Sequence, residues 1–378
     1  MTPAFGIYVH WPFCQAKCPY CDFNSHVVAA VDQSRWAEAL SREIDRHAEE
    51  LGPRSVVSVF FGGGTPSLMA PETVETVLRR ISDAFRLEPD AEITLEANPT
   101  SVEAARFAGY AAAGVNRVSL GVQALNDADL KRLGRLHDVD QALRALEIAR
   151  SRFDRVSFDL IYGRQDQTLA DWEAELTRAL ALEPDHLSLY QLTIEPGTAF
   201  GDRFARGKLA GLPDDGLGAD LYDLTQDLCD AAGLPAYETS NHARPGQESR
   251  HNLIYWRAGD YAGIGPGAHG RLTVGPDRIA TVAVSAPGKW LKQVEKSGSG
   301  DEARETLSAR EQAIEWALMG LRLVEGVNLQ SPEAEILDAG AMERLEGEGF
   351  VTRDGGRLAL TRRGRPLLNA ILADLVRD

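Results

Sequence analysis

Cysteine is scarce in this chain of 378 residues, and there is no second C-x2-C pair. Four cysteines, three of them crowded together, cannot make the disulfide framework of a small secreted domain. A reducing cytoplasm suits them better, because it keeps thiolates available. Long apolar runs are missing too: no window approaches the roughly 20 residues that a membrane span needs. The opening residues, MTPAFGIYVHW, lack a basic stretch followed by an apolar one, so no secretory leader is expected. Positive charge is in the minority, with 40 Lys and Arg against 56 Asp and Glu, a net charge of −16. That balance argues against non-specific binding of nucleic acid or anionic membrane. A local cluster of arginines (Arg344, Arg353, Arg357, Arg362, Arg363, Arg365) does not reverse it. Internal repeats and low-complexity tracts are absent.

What is present is concentrated between Tyr8 and His26. Cys14, Cys18 and Cys21 are spaced C-x3-C-x2-C. Three soft thiolates this close suit a metal or an iron–sulfur cluster. Zinc is the rival, although a structural zinc site takes four ligands, usually as two distant pairs. On a four-iron cluster three cysteines would leave one iron open to a small chelating molecule. Cys229, alone on an amphipathic stretch, reads as core packing.

From Phe5 to Gly233, strand-like and helix-like segments alternate about six times. This predicts an α/β fold with parallel strands, a partial (β/α)6 barrel, over residues 1–240. Chemistry in such folds gathers at the carboxyl ends of the strands. The cysteine loop follows strand one and Gly62-Gly63-Gly64-Thr65-Pro66 follows strand two. Glu96 ends strand three, and Gln123 follows strand four. Arg135 and Asp159 are polar residues near further element ends. Residues 241–300 read as an irregular extension, with a linker at 296–304. Residues 301–378 read as a small α+β cap, resembling a winged helix, with a hairpin turning at Asp354-Gly355-Gly356. His251 stands in the irregular stretch beside Tyr255 and Trp256. Its imidazole suits haem iron, although residue type alone favours a structural role with both nitrogens satisfied. His242 and His269 are its neighbours in the same stretch.

The C-x3-C-x2-C spacing, with Tyr20 before the third cysteine, resembles the signature of the radical S-adenosylmethionine (SAM) superfamily. The segments YVHWPFC, CPYCDFNSH, FFGGGTPSL, GVQALND, DLIYG, YETSN, SRHNLIYW and YAGIGPGAHG together resemble the HemW family. That family is related to the oxygen-independent coproporphyrinogen III oxidases, HemN. HemN-type enzymes carry a further cysteine two residues after the third, where this chain has Phe23. The HemW branch carries H-N-x-x-Y-W, which is His251 to Trp256 here. The resemblance implies a haem chaperone with a [4Fe–4S] cluster on Cys14, Cys18 and Cys21, bound SAM, and haem on His251. It implies delivery of haem to apo-haemoproteins, peripheral contact with membrane-bound clients, and room for a homodimer. It implies that Tyr8, Gly63 and Glu96 meet the cluster-bound SAM. Tyr20, Gly64, Thr65, Gln123, Arg135 and Asp159 would line a neighbouring second SAM site. The alternative activity is that of a coproporphyrinogen III dehydrogenase in porphyrin biosynthesis. One departure is visible: Arg164-Gln165 stands where the family commonly reads Leu-Pro.

Overall fold

The computed structural model describes residues 4–376. Six parallel strands follow one another: β1 (Phe5–Trp11), β2 (Ser55–Gly63), β3 (Arg86–Ala97), β4 (Arg117–Gln123), β5 (Arg155–Tyr162) and β6 (His186–Gln191). The sheet goes on through β7 (Asn241–Ala243) at one edge. At the other lie β8 (Asp260–Ile264), β9 (His269–Val274), β10 (Asp277–Ala283) and β11 (Asp301–Thr306). The order is β11-β10-β9-β8-β1-β2-β3-β4-β5-β6-β7.

The main helices are α1 (Gln33–Leu51), α2 (Pro71–Ala84), α3 (Phe107–Ala113), α4 (Val139–Arg150), α5 (Leu169–Leu180) and α6 (Asp215–Ala231). Local chemistry fixes their ends. Asp32 caps α1 by accepting from Arg35 N, and Gly52, at φ 63°, stops it. Capping boxes open α4 (Asp138, Gln141) and α5 (Thr168, Asp171). Between these helices, β2 reads SVVSVFFGG, a run of the β-branched and aromatic residues that suit a strand covered on both faces.

The expectation of an irregular stretch over 241–300 does not hold. It contains β7, α7 (Arg250–Trp256), β8, β9, β10 and α8 (Pro287–Ser297). β8 pairs in parallel with β1, Phe5 facing Asp260 and Val9 facing Ile264. Apart from α8, these elements are too short, and β8 and its flanks too rich in glycine, for a period of 2 or 3.6 to show. Nor is 296–304 a free linker, because Asp301 opens β11, which pairs with β10.

One core runs from Phe5 through Trp11, Phe61, Phe158 and Trp172 to Trp290. A second core belongs to α9 (Ala309–Gly320), α10 (Ala339–Gly347) and α11 (Leu368–Leu375). With them lies an antiparallel sheet of β12 (Val327–Asn328), β13 (Val351–Asp354) and β14 (Arg357–Leu360). The arginines of this cap are largely spoken for. Arg344 pairs with Asp374, Arg353 with Glu346, and Arg362 with Asp227 of α6. Among the described residues no helix is long and apolar enough to cross a membrane.

Candidate cluster and ligand site

The carboxyl ends of β1 to β6 surround a cavity of about 610 Å3. Cys14, Cys18 and Cys21 lie half-buried on its wall. Gly63, Gly64, Thr65, Glu96, Gln123, Arg135, Asp159 and Tyr20 line it as well. The strand-end rule thus brings these residues together from five elements.

The glycine turn has a second reason beyond ligand approach. Gly64 N donates to Trp11 O at 2.7 Å and Thr65 N to Phe13 O at 2.8 Å. A Cβ on Gly64 would lie 2.8 Å from Phe13 O. Gly63, at φ 109°, would drive a Cβ into the His10 ring. The glycines therefore clasp the chain that leads into the cysteines.

Thr65 Oγ1 lies 3.4 Å from Cys14 Sγ, and an Arg135 guanidinium nitrogen lies 3.4 Å from Cys18 Sγ. Arg135 also donates to Gly121 O at 2.8 Å and to Asn98 Oδ1. Burial pushes the Cys14 and Cys21 thiols up, and the neighbouring cysteines add to it. Among the described residues no group of three His, Cys, Asp or Glu side chains is drawn together to hold one metal ion. Three half-buried thiols therefore share one wall, while Cys229 is buried on α6.

Two carboxyls face the cavity. Burial, then Asp159, pushes the Glu96 carboxyl up to about 8, against a hydrogen bond from the Gly63 N–H. Asp159 is pushed up to about 6 by burial, moderated by hydrogen bonds from Ser188 and Ser119. Gln123 holds φ at 69°, a left-handed strain in a residue with a Cβ. Its Oε1 is buried with no hydrogen-bond partner among the described residues. Strain and an unsatisfied acceptor thus fall on one cavity-lining side chain.

Two expected residues lie apart from this wall. Tyr8 sits behind it, its hydroxyl 3.0 Å from His10 Nδ1. His251 lies on α7, inside the molecule and only 2% exposed. Ser58 Oγ meets its Nδ1 at 2.8 Å and Tyr255 Oη its Nε2 at 2.7 Å. Its ring stacks on Phe60, centroids 4.8 Å apart. The expectation that His251 stands in an irregular stretch is therefore corrected. Its segment is a helix, and the imidazole points inward with both nitrogens engaged. Sequence reasoning missed Asn98, Ser119 and Tyr190 on the cavity wall. The strand-end rule applied to β6 would have flagged Tyr190.

A partial parallel barrel with three thiols at its mouth defines the radical SAM class, and the description "Radical SAM superfamily" matches residues 8–179. The "HemN C-terminal domain" matches residues 307–367. "Heme chaperone HemW" of Escherichia coli (strain K12) is 38% identical, over 98% of this chain and 97% of that one. "Radical S-adenosyl methionine domain-containing protein 1, mitochondrial" of Bos taurus is 40% identical, over 98% and 87%. The solved coproporphyrinogen III oxidase HemN of Escherichia coli shares the fold. Its TM-score is 0.82 at 24% identity, covering 99% of this chain and 90% of that one. The chain belongs to the HemW family.

Proposed function

We propose that this chain is a haem-carrying protein of the cytoplasm that holds a [4Fe–4S] cluster and SAM and passes haem to apo-haemoproteins. The observation that carries the cofactor reading is the single cavity that gathers the three thiols, the glycine turn, Glu96 and Arg135. The haem reading comes from the relatives named as haem chaperones. When bound, the cluster supplies an open iron for chelating SAM and an electron for reducing it. The chain's own residues do the positioning. Arg135 keeps a cation beside Cys18 and Tyr20. Glu96 holds its proton at neutral pH until an ammonium or sulfonium group displaces it. Gln123 offers its unsatisfied oxygen. His251 becomes a haem ligand when α7 parts from β2 and the Ser58 and Tyr255 bonds open.

Anaerobic reconstitution followed by iron and sulfide assay, EPR with SAM, and a haem titration tests this. We expect one [4Fe–4S] cluster per chain, an EPR signal altered by SAM, and saturable haem binding. We expect no conversion of coproporphyrinogen III, because Phe23 replaces the fourth cysteine. Robust turnover would transfer the assignment to the dehydrogenase.

A further inference from the structure

Haem must meet an imidazole it can reach. Of eight histidines, His10, His47, His137, His186, His242 and His251 are buried. His26 is half-exposed, with its Nε2 bonded to Asn24 Oδ1 at 3.1 Å. His269 opens β9 with an exposed ring, which has no hydrogen-bond partner among the described residues.

The ground around His269 suits a flat apolar ligand. The segment that leaves the cysteine loop exposes Phe23 (59%), Val27 (56%) and Val28 (41%). Scattered exposed apolar residues are ordinary, but these flank Asn24, which ties their segment to the turn that leads into His269. Asn24 locks the two pieces together. Its amide donates to Pro266 O and Ser285 O, each at 2.9 Å, and a Cβ on Gly267 would strike it. His10, bonded to Asn24 O at 2.9 Å, lies close enough to both His26 and His269 to feel their charge. Phe23 also lines the cavity mouth, so the patch adjoins the cluster wall.

We infer that incoming haem is first taken at this surface, with His269 as axial ligand and Phe23, Val27 and Val28 against the macrocycle. The inference rests on the haem-carrying reading above. It places capture outside the molecule and leaves the enclosed His251 for a later, opened state. A protein partner would bury the same apolar side chains; the unbonded imidazole across the Asn24 junction is the feature that favours an iron ligand. Partial burial, then Arg271, pushes the His269 imidazole down, toward the neutral form that binds iron.

Stopped-flow mixing of the reconstituted full chain with haem, followed at the Soret band, tests it. The wild type is expected to show a fast second-order phase and then a slower one. His269→Ala should slow the fast phase at least tenfold. His269→Met, which keeps a ligand, should retain the phase with a shifted Soret maximum. Val27→Asp should slow the phase several-fold and leave the maximum in place. His251→Ala should lose only the slow phase. An unchanged fast phase and spectrum in His269→Ala overturns the inference, as does loss of that phase in His26→Ala instead. Loss of all binding in His251→Ala alone would put haem inside from the start, overturning the surface site while the haem-carrying reading stands. A wild type with no saturable binding overturns that reading itself.

Discussion

Cys229 lies fully buried on α6, where burial pushes its thiol up to about 12. The other three cysteines line the cavity. Cys229→Ala is therefore expected to keep the full iron and sulfide content after reconstitution, while Cys14→Ser, Cys18→Ser and Cys21→Ser each lose it. The reverse pattern in Cys229→Ala and Cys21→Ser would undo the ligand assignment. Arg164, visible in the sequence only as a departure from its family, has a structural account. Its guanidinium, 3% exposed, pairs with Glu175 and with Asp129 at 3.0 Å, and donates to Ile161 O at 2.7 Å. It ties the loop after β5 to α5 and to the short helix Asp127–Arg132. Arg164→Leu would take the cation from the buried Glu175 carboxylate, and breaking such a buried pair costs about 3–5 kcal/mol. Urea unfolding measures it; a loss below 1 kcal/mol would show that the carboxylate finds water or other partners.

At the scale of the element, α7 turns the sequence reading round. Its seven residues carry His251 and Tyr255 one turn apart, on the same inward face. So short a helix has no detectable period. Nothing in SRHNLIYW says that Ser58, nearly two hundred positions away, closes the imidazole off. The (β/α)6 alternation was legible because each unit is long and periodic, and the cavity residues because strand ends are predictable places. Pairings between distant segments left no local trace. Burial, then Arg117, pushes the His251 imidazole down to about 3. Its ordinary value is 6.5. Below that pH the unfolded chain takes up a proton that the folded one refuses, so the stability His251 lends is present above 6.5 and lost as pH falls toward 3. Unfolding free energy between pH 7 and 5 should fall less steeply in His251→Gln than in the wild type. Equal slopes would mean that the imidazole is protonated in the folded protein.

The whole molecule hangs on the first strand. β1 lies between β2 and β8, so its two neighbours come from opposite ends of the sequence. Glu43 of α1 reinforces the junction, accepting from the N–H groups of Gly265 (2.6 Å) and Gly300 (2.9 Å) and from Trp290 Nε1 (3.2 Å). A chain cut after residue 250 would leave one edge of β1 bare and Asn24 without Pro266 and Ser285. Such an edge invites aggregation. The truncated chain is expected to be recovered poorly and to carry little iron after reconstitution; a well-behaved, fully loaded fragment would show that the first six units suffice.

This arrangement also sets an order of events during synthesis. The cysteines leave the ribosome long before the acceptors that fix Asn24 beside them, at residues 266 and 285. At about 5–20 residues per second, that interval lasts roughly 12–55 s. Throughout it the three thiols sit on an unfinished loop, open to oxidation and to stray metal. On the proposed cluster reading, completion of the centre waits for residues 266 and 285 to emerge.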